Sequence, residues 1–205
     1  MLTGVRPVKL PTRSLLAGAS PQQARREMEE NYYVSPRRAA LAVDCAQASA
    51  AVDRDLRDDQ VSVYIGIPFC PTRCAYCSFV SADVGRTLKL VEPYLQLLLE
   101  EVDATGKALH DAELTVRSFY MGGGTPTTLT AEQMDRVLTA FETSFDRTAC
   151  EEITVEAGRP DTITAEKLAV LRTHGVTRVS VNPQTFEENV LRAIGRRHTA
   201  QDIRE

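Results

Sequence analysis

The sequence predicts an α/β fold, the N-terminal part of a partial (β/α) barrel preceded by a small helical segment. Three observations in the 205 residues lead there. From residue 61 onward, β-rich runs alternate with helical segments, which implies right-handed βαβ units and a parallel sheet. Capping and stop residues bracket those helical segments. Upstream lies an alanine-rich, polar-flanked stretch with two Ser-Pro starts.

In chain order, residues 20–52 read as two short helices, because Ser20-Pro21 and Ser35-Pro36 each place a capping hydroxyl before a proline suited to a first helical turn. Residues 53–60 (DRDLRDDQ) are charged and lack apolar periodicity, so a linker is expected there. Residues 1–60 are thus a helical segment with its linker, and residues 61–205 the barrel part.

Residues 61–67 (VSVYIGI) are the first strand, 91–109 a helix, and 114–121 (LTVRSFYM) the second strand. Thr130 and Gln133 resemble a capping box that opens a helix running to Phe145. Residues 152–156 (EITVE) are the third strand, Thr164 caps a helix that stops at Gly175, and residues 176–181 (VTRVSV) are the fourth strand. Residues 185–194 form the last helix. Four such units are too few to close an eight-stranded barrel, so a piece of a longer barrel protein is expected.

Composition narrows the function classes. The chain is 43% hydrophobic and 25% charged, ordinary for a globular protein. A formal net charge of -4 with interspersed signs offers no surface for a nucleic-acid backbone. Residues 1–10 lack the apolar run of a secretory signal, and no stretch approaches the roughly 18 apolar residues of a membrane span. Of five cysteines, three fall within eight residues, a poor layout for disulfides and a good one for ligands. A cytosolic location without nucleic-acid or membrane partners is expected.

Cys70, Cys74 and Cys77 form C-x3-C-x2-C directly after the first strand. Three thiolates on a short loop can bind three irons of a cubane and leave the fourth iron open to another ligand. The competing readings are a structural zinc, which normally needs four ligands, and inert core thiols. No second cysteine pair exists to complete a zinc site, and His110, His174 and His198 stand apart in the sequence. Cys45 and Cys150 are lone residues, read as inert.

Further along, Gly122, Gly123, Gly124, Thr125 and Pro126 follow the second strand, on the rim where a parallel barrel carries its chemistry. Glycines there allow close approach of a ligand to the backbone, although a tight turn needs glycine too. Glu156 ends the third strand on the same rim, where a solvated carboxylate is the plain alternative. Gln184 follows the fourth strand, and Arg196 follows the last helix as a possible bidentate partner for a carboxylate or as a solvated helix-end residue.

The cysteine spacing, with Tyr76 just before the last cysteine, resembles the signature of the radical S-adenosylmethionine (SAM) superfamily. The resemblance implies a [4Fe–4S] cluster on Cys70, Cys74 and Cys77. It also implies SAM chelating the open iron, with cleavage to a 5′-deoxyadenosyl radical. It puts Tyr76 beside the adenine, the GGGTP segment against the methionyl amino group, and Glu156 in contact with SAM.

YIGIPFC at residues 64–70, GGGTP, the glutamate strand, QTF at 184–186 and IGRRH at 194–198 resemble, in this order, the motifs of oxygen-independent coproporphyrinogen III oxidases and their relatives. Within that family Gln184 and Arg196 match the glutamine and arginine that contact a second SAM. Tyr64 is counted with the cofactor-facing residues. LTGVRP at residues 2–7, YVS at 33–35, EAGRP at 156–160 and VNPQ at 181–184 look most like the coproporphyrinogen dehydrogenase branch called HemZ.

The implied reaction is oxidative decarboxylation of coproporphyrinogen III to protoporphyrinogen IX, with a flavodoxin or ferredoxin as electron donor. The chain departs from the well-studied oxidases in having Gly66 in place of histidine and no additional cysteine after Ser78. A haem-binding carrier with the same core motifs is therefore the alternative, and a catalytically incomplete fragment a third.

Overall fold

The computed structural model describes residues 6–204. Residues 2–5, part of the LTGVRP motif, lie outside the described residues, as does residue 205. The chain divides into two compact units, residues 1–58 and 59–205.

In the first unit three helices are described: α1 (Lys9–Leu16), α2 (Pro21–Tyr32) and α3 (Pro36–Asp55). Ser20 caps α2 through a full capping box: its Oγ accepts from the Gln23 N–H at 3.2 Å, and its own N–H donates to Gln23 Oε1 at 2.7 Å. Ala39, Ala42, Ala46 and Ala50 line the buried side of α3. Such small side chains let the helices approach closely around Leu15, Ala24, Met28 and Val43.

Three expectations need correction in this unit. A helix α1 precedes the expected pair; it carries Pro11 within its first turn, a position where the missing N–H costs no hydrogen bond. Ser35 stands at the N-cap of α3, but its side chain makes no capping bond. The expected linker is partly helical, since α3 runs on to Asp55, where Arg54 donates to the Leu15 carbonyl at 2.9 Å. A charged run without apolar periodicity had concealed that tie to the end of α1.

The second unit opens with β1 (Gln60–Ile67), then β2 (Phe69–Cys70), β3 (Ala82–Asp83), α4 (Val84–Thr87) and α5 (Val91–Asp111). There follow β4 (Thr115–Gly123), α6 (Ala131–Ser144), β5 (Glu152–Ala157), α7 (Ala165–Thr173), β6 (Arg178–Val181) and α8 (Glu188–Ala193). β1, β4, β5 and β6 form a four-stranded sheet in that order, and every neighbouring pair is parallel. Consecutive placement of parallel strands with a helix after each is the winding of a barrel, here a partial one.

Strand alternation divides the sheet into two unlike faces. Val63, Phe119 and Ile153 lie in one register row, and Ile65, Met121, Val155 and Val179 in the next. Apart from Val179, which is exposed at the sheet edge, this apolar face joins Leu95, Leu98, Met134, Val137, Phe141 and Leu171 from the helices in the main core. Each fully buried side chain of this size contributes about 1.5–3 kcal/mol. Phe119 and Phe141 pack against each other in that core, their rings tilted by 32° with centroids 4.1 Å apart.

The opposite face carries Tyr64, Tyr120, Thr154 and Arg178 in one row, with Gly66 beside Gly122 and Glu156 beside Ser180 further along. Polarity on a parallel-sheet face is unusual unless it lines a site.

The helix ends follow the sequence signals. Thr130 and Gln133 make the reciprocal capping box of α6, Thr164 caps α7 through the Lys167 N–H at 3.3 Å, and Gly175 after α7 has φ of 66°. His174, at the end of α7, reaches Asp135 Oδ1 at 2.9 Å and Glu142 Oε2 at 3.0 Å on α6. Three placements differ from expectation: the fourth strand starts at Arg178 and the last helix at Glu188, two and three residues late, and Gly122 and Gly123 are the last two residues of β4 rather than part of the loop after it, so that only Gly124 lies beyond the strand. The β2–β3 ladder, two residues on each side, was too short to show as a strand pattern. Among the described residues no helix is long and apolar enough to cross a membrane.

Candidate cluster and cofactor site

The strand ends gather the expected residues around one cavity. It is lined by Cys70, Cys74, Cys77, Tyr76, Gly123, Gly124, Thr125, Glu156, Gln184 and Arg196, together with Thr72, Phe79, Ser81, Gly158, Arg159 and Asn182. The last six were not among the expected site residues. Tyr64 is placed elsewhere, 61% exposed on the polar sheet face and stacked on Tyr120 with ring centroids 5.9 Å apart. Gly122 lies beneath the Glu156 carboxylate, where an added Cβ would stand 3.1 Å from Oε2.

The cysteine loop is bound to the rest of the unit at several points. Cys70 ends β2 and is buried; its Sγ lies 3.3 Å from Thr125 Oγ1. The Gly124 N–H donates to the Ile67 carbonyl at 2.8 Å, which holds the glycine segment against the start of the loop. On the other side the Ala75 N–H donates to the Ile194 carbonyl at 3.1 Å and Thr72 Oγ1 to the Gly195 carbonyl at 3.0 Å. Gly195 has φ of 79°, and an added Cβ would meet the Arg73 carbonyl at 3.2 Å, so this contact needs glycine.

All five cysteines are free thiols in the structure: Cys70 and Cys74 are buried, Cys77 partly so, and Cys45 is exposed on α3. Cys150 lies just before β5, where burial pushes its thiol pKa up. Among the described residues no three His, Cys, Asp or Glu side chains converge closely enough to hold one metal ion. Cys70, Cys74 and Cys77 instead stand around a common cavity. A cubane asks for ligands spread over three separate irons, whereas a zinc ion needs sulfurs about 2.3 Å from a single centre.

The polar groups around the cavity also fit a charged organic ligand. Glu156 Oε1 accepts from the Tyr120 hydroxyl at 2.6 Å. Arg196 is buried; its Nη1 donates to the Gly158 carbonyl at 2.8 Å and its Nη2 to the Tyr76 hydroxyl at 3.3 Å, while its Nε has no partner. The Arg196 side chain lines the cavity and keeps one buried donor in reserve, which fits an anionic ligand there. Gln184 holds φ of 66°, a left-handed conformation uncommon outside glycine and frequent at functional sites. His198 is buried behind it, its Nε2 3.2 Å from the Pro183 carbonyl.

The Tyr120 phenol is held in its neutral form. Burial first, then the hydrogen bond to Glu156, raise its pKa from 10.0 to about 12. A raised folded-state value means that its stabilising contribution is complete below the unfolded value near 10 and is lost as pH rises through about 12. Alkaline spectrophotometric titration is expected to show a late phenol ionisation that is lost in Tyr120→Phe, beyond the upward-shifted Tyr64 and Tyr94. Glu156→Gln should bring that transition part of the way down, because burial persists; a Tyr120 transition near pH 10 would contradict the contact.

Comparison with known proteins places this arrangement. Residues 64–205 match the model of the radical SAM superfamily. The chain is 43% identical over 205 residues to the oxygen-independent coproporphyrinogen-III oxidase-like protein HemZ of Bacillus subtilis, covering 98% of this chain and 41% of that protein. It is 40% identical over 142 residues to the heme chaperone HemW of Lactococcus lactis, covering 69% of this chain and 35% of the relative. Among solved structures, the radical SAM coproporphyrinogen III oxidase HemN of Escherichia coli superposes with a TM-score of 0.63 at 27% identity, over 76% of this chain and 35% of that one. The chain therefore spans about two-fifths or less of the length of these relatives.

Proposed function

The chain belongs to the radical SAM superfamily, whose members use a [4Fe–4S] cluster and SAM, and from that premise we propose that it is the cofactor-binding part of an oxygen-independent coproporphyrinogen III oxidase. The proposed reaction converts two propionate side chains of coproporphyrinogen III to the vinyl groups of protoporphyrinogen IX. Each conversion transfers a hydrogen atom from the propionate β-carbon to a carbon radical, passes one further electron to an external one-electron acceptor, and releases CO2. When bound, the cluster and SAM together supply a carbon radical able to take that hydrogen.

The observation that carries the proposal is the meeting of Cys70, Cys74 and Cys77 with Glu156, Gln184 and Arg196 around one cavity. In this reading the three thiolates hold the cluster, with one iron left for SAM. Glu156, fixed by Tyr120, accepts from amino or hydroxyl groups of SAM. Arg196 offers its charge on the cavity wall to a carboxylate, while its Nη2 holds the Tyr76 ring beside the adenine. Gly123 and Gly124 admit the ligand to the backbone edge. Electrons would come from a flavodoxin or ferredoxin, and five unpaired cysteines suit the reducing cytosol.

A haem carrier is the second reading. The 40% identity to a heme chaperone over the same core favours it, and Gly66, where the oxidases carry histidine, weakens the first reading without deciding for the second.

The deciding experiment uses the complete protein, anaerobically, with reductant, SAM and coproporphyrinogen III. Substrate-dependent 5′-deoxyadenosine and protoporphyrinogen are expected, with Glu156→Gln and Arg196→Ala each lowering the yield at least tenfold, about 1.4 kcal/mol of lost stabilisation. Deoxyadenosine without a porphyrinogen product, together with stoichiometric haem binding, would overturn the oxidase reading and favour the carrier.

A further inference from the structure

Arg159 is 2% exposed and is among the largest fully buried side chains of the chain. It lies just after β5, in the segment that follows Glu156, and its side chain runs to the cysteine loop. Nη1 donates to Thr72 Oγ1 at 2.9 Å, and Nη2 donates both to the Thr72 carbonyl and to Cys74 Sγ, the latter at 3.2 Å. Among the described residues the guanidinium meets these two residues and no carboxylate.

A buried guanidinium without an anion is costly by several kcal/mol. Its backbone carbonyl is already occupied by Thr162, whose N–H and Oγ1 donate to it at 3.0 and 2.8 Å, so the residue is held in place from both ends. The guanidinium already touches a group that can carry negative charge, the Cys74 sulfur, which does so as a thiolate ligand. The charge of Arg159 is thus balanced when the cysteine loop holds its cluster.

We propose that Arg159 is a positioning residue for the iron–sulfur cluster, donating a charged hydrogen bond to the Cys74 sulfur and clamping the loop through Thr72. Two consequences follow. Reduction adds negative charge beside a fixed cation, so Arg159 raises the cluster's reduction potential; hydrogen bonds to the sulfurs are one of the protein's means of setting it. The fork of the guanidinium also holds Thr72 and Cys74 in a fixed relation, which a point-like ammonium cannot copy.

The inference rests on Cys74 being a cluster ligand. It is tested on the reconstituted protein with Arg159→Met, Arg159→Gln and Arg159→Lys, measuring iron and sulfide content, iron loss to a chelator, and the midpoint potential by spin-resonance-monitored titration. The neutral variants are expected to shift the one-electron equilibrium at least tenfold toward the oxidised cluster, about 59 mV lower. Arg159→Lys should recover most of that shift yet lose iron to the chelator faster than the parent.

A neutral variant with four irons and the parent potential would overturn the proposal, as would a lysine variant shifted as far as the neutral ones. If the neutral variants take up no cluster, loading of Arg159→Lys supports the charge requirement, and failure of the lysine variant as well reduces Arg159 to a packing group and ends the proposal. Full iron retention by Cys74→Ala would instead overturn the ligand assignment itself, whatever the Arg159 variants do.

Discussion

Replacing Cys74 by alanine is expected to lower the reconstituted protein from about four irons and four sulfides per chain to almost none. Cys74 is buried on the cavity wall, its sulfur already engaged by Arg159 at 3.2 Å. Without it one iron of the cubane loses its thiolate, and the Arg159 cation loses the group that balances it, so the loss is not confined to one bond. Cys150→Ala serves as the control: that thiol donates weakly to the Glu152 carbonyl at 3.7 Å and does not line the cavity, so the iron content should be unchanged. Anaerobic reconstitution with iron and sulfide analysis decides the matter, and stoichiometric zinc without sulfide on the parent protein would refute the cluster assignment.

Much of the fold was legible because its signals are local. Strand alternation, the Thr130 capping box and the stop at Gly175 each depend on residues within a few positions of one another, and the four parallel strands fall close to where those signals put them. The same holds for Cys70, Cys74 and Cys77, which one loop delivers to one cavity. What the sequence concealed is contact across the chain. Arg159 sat in view within EAGRP, yet nothing local says that its guanidinium crosses to a sulfur 85 positions earlier. Tyr120, paired with Glu156 across neighbouring strands, was hidden for the same reason. Short elements failed differently: the two-residue β2 and β3 have no periodicity to detect, and α1 begins without a side-chain cap.

The three glycines of the GGGTP segment are expected to separate cluster loss from SAM loss, because an added Cβ meets a different neighbour at each. At Gly124 it would stand 2.8 Å from the Phe69 carbonyl oxygen, 2.9 Å from that of Ile67 and 3.1 Å from Cys70 Sγ. Two of these are backbone atoms of the loop's own base, which cannot rotate away, so Gly124→Val must displace Cys70 and should lose cluster and SAM together. At Gly122 the nearest atoms are the Tyr120 ring at 2.8 Å and Glu156 Oε2 at 3.1 Å, both side chains. Gly122→Ala should therefore keep its irons while the Glu156 carboxylate is pushed aside, weakening SAM at least tenfold, about 1.4 kcal/mol. Gly123, with φ of 104° and Ile67 backbone atoms at 3.1 and 3.2 Å, combines strain with crowding and should fall between the two. Iron analysis and equilibrium SAM binding on the folded variants distinguish the three; unchanged SAM affinity in all of them would reduce the segment to a turn.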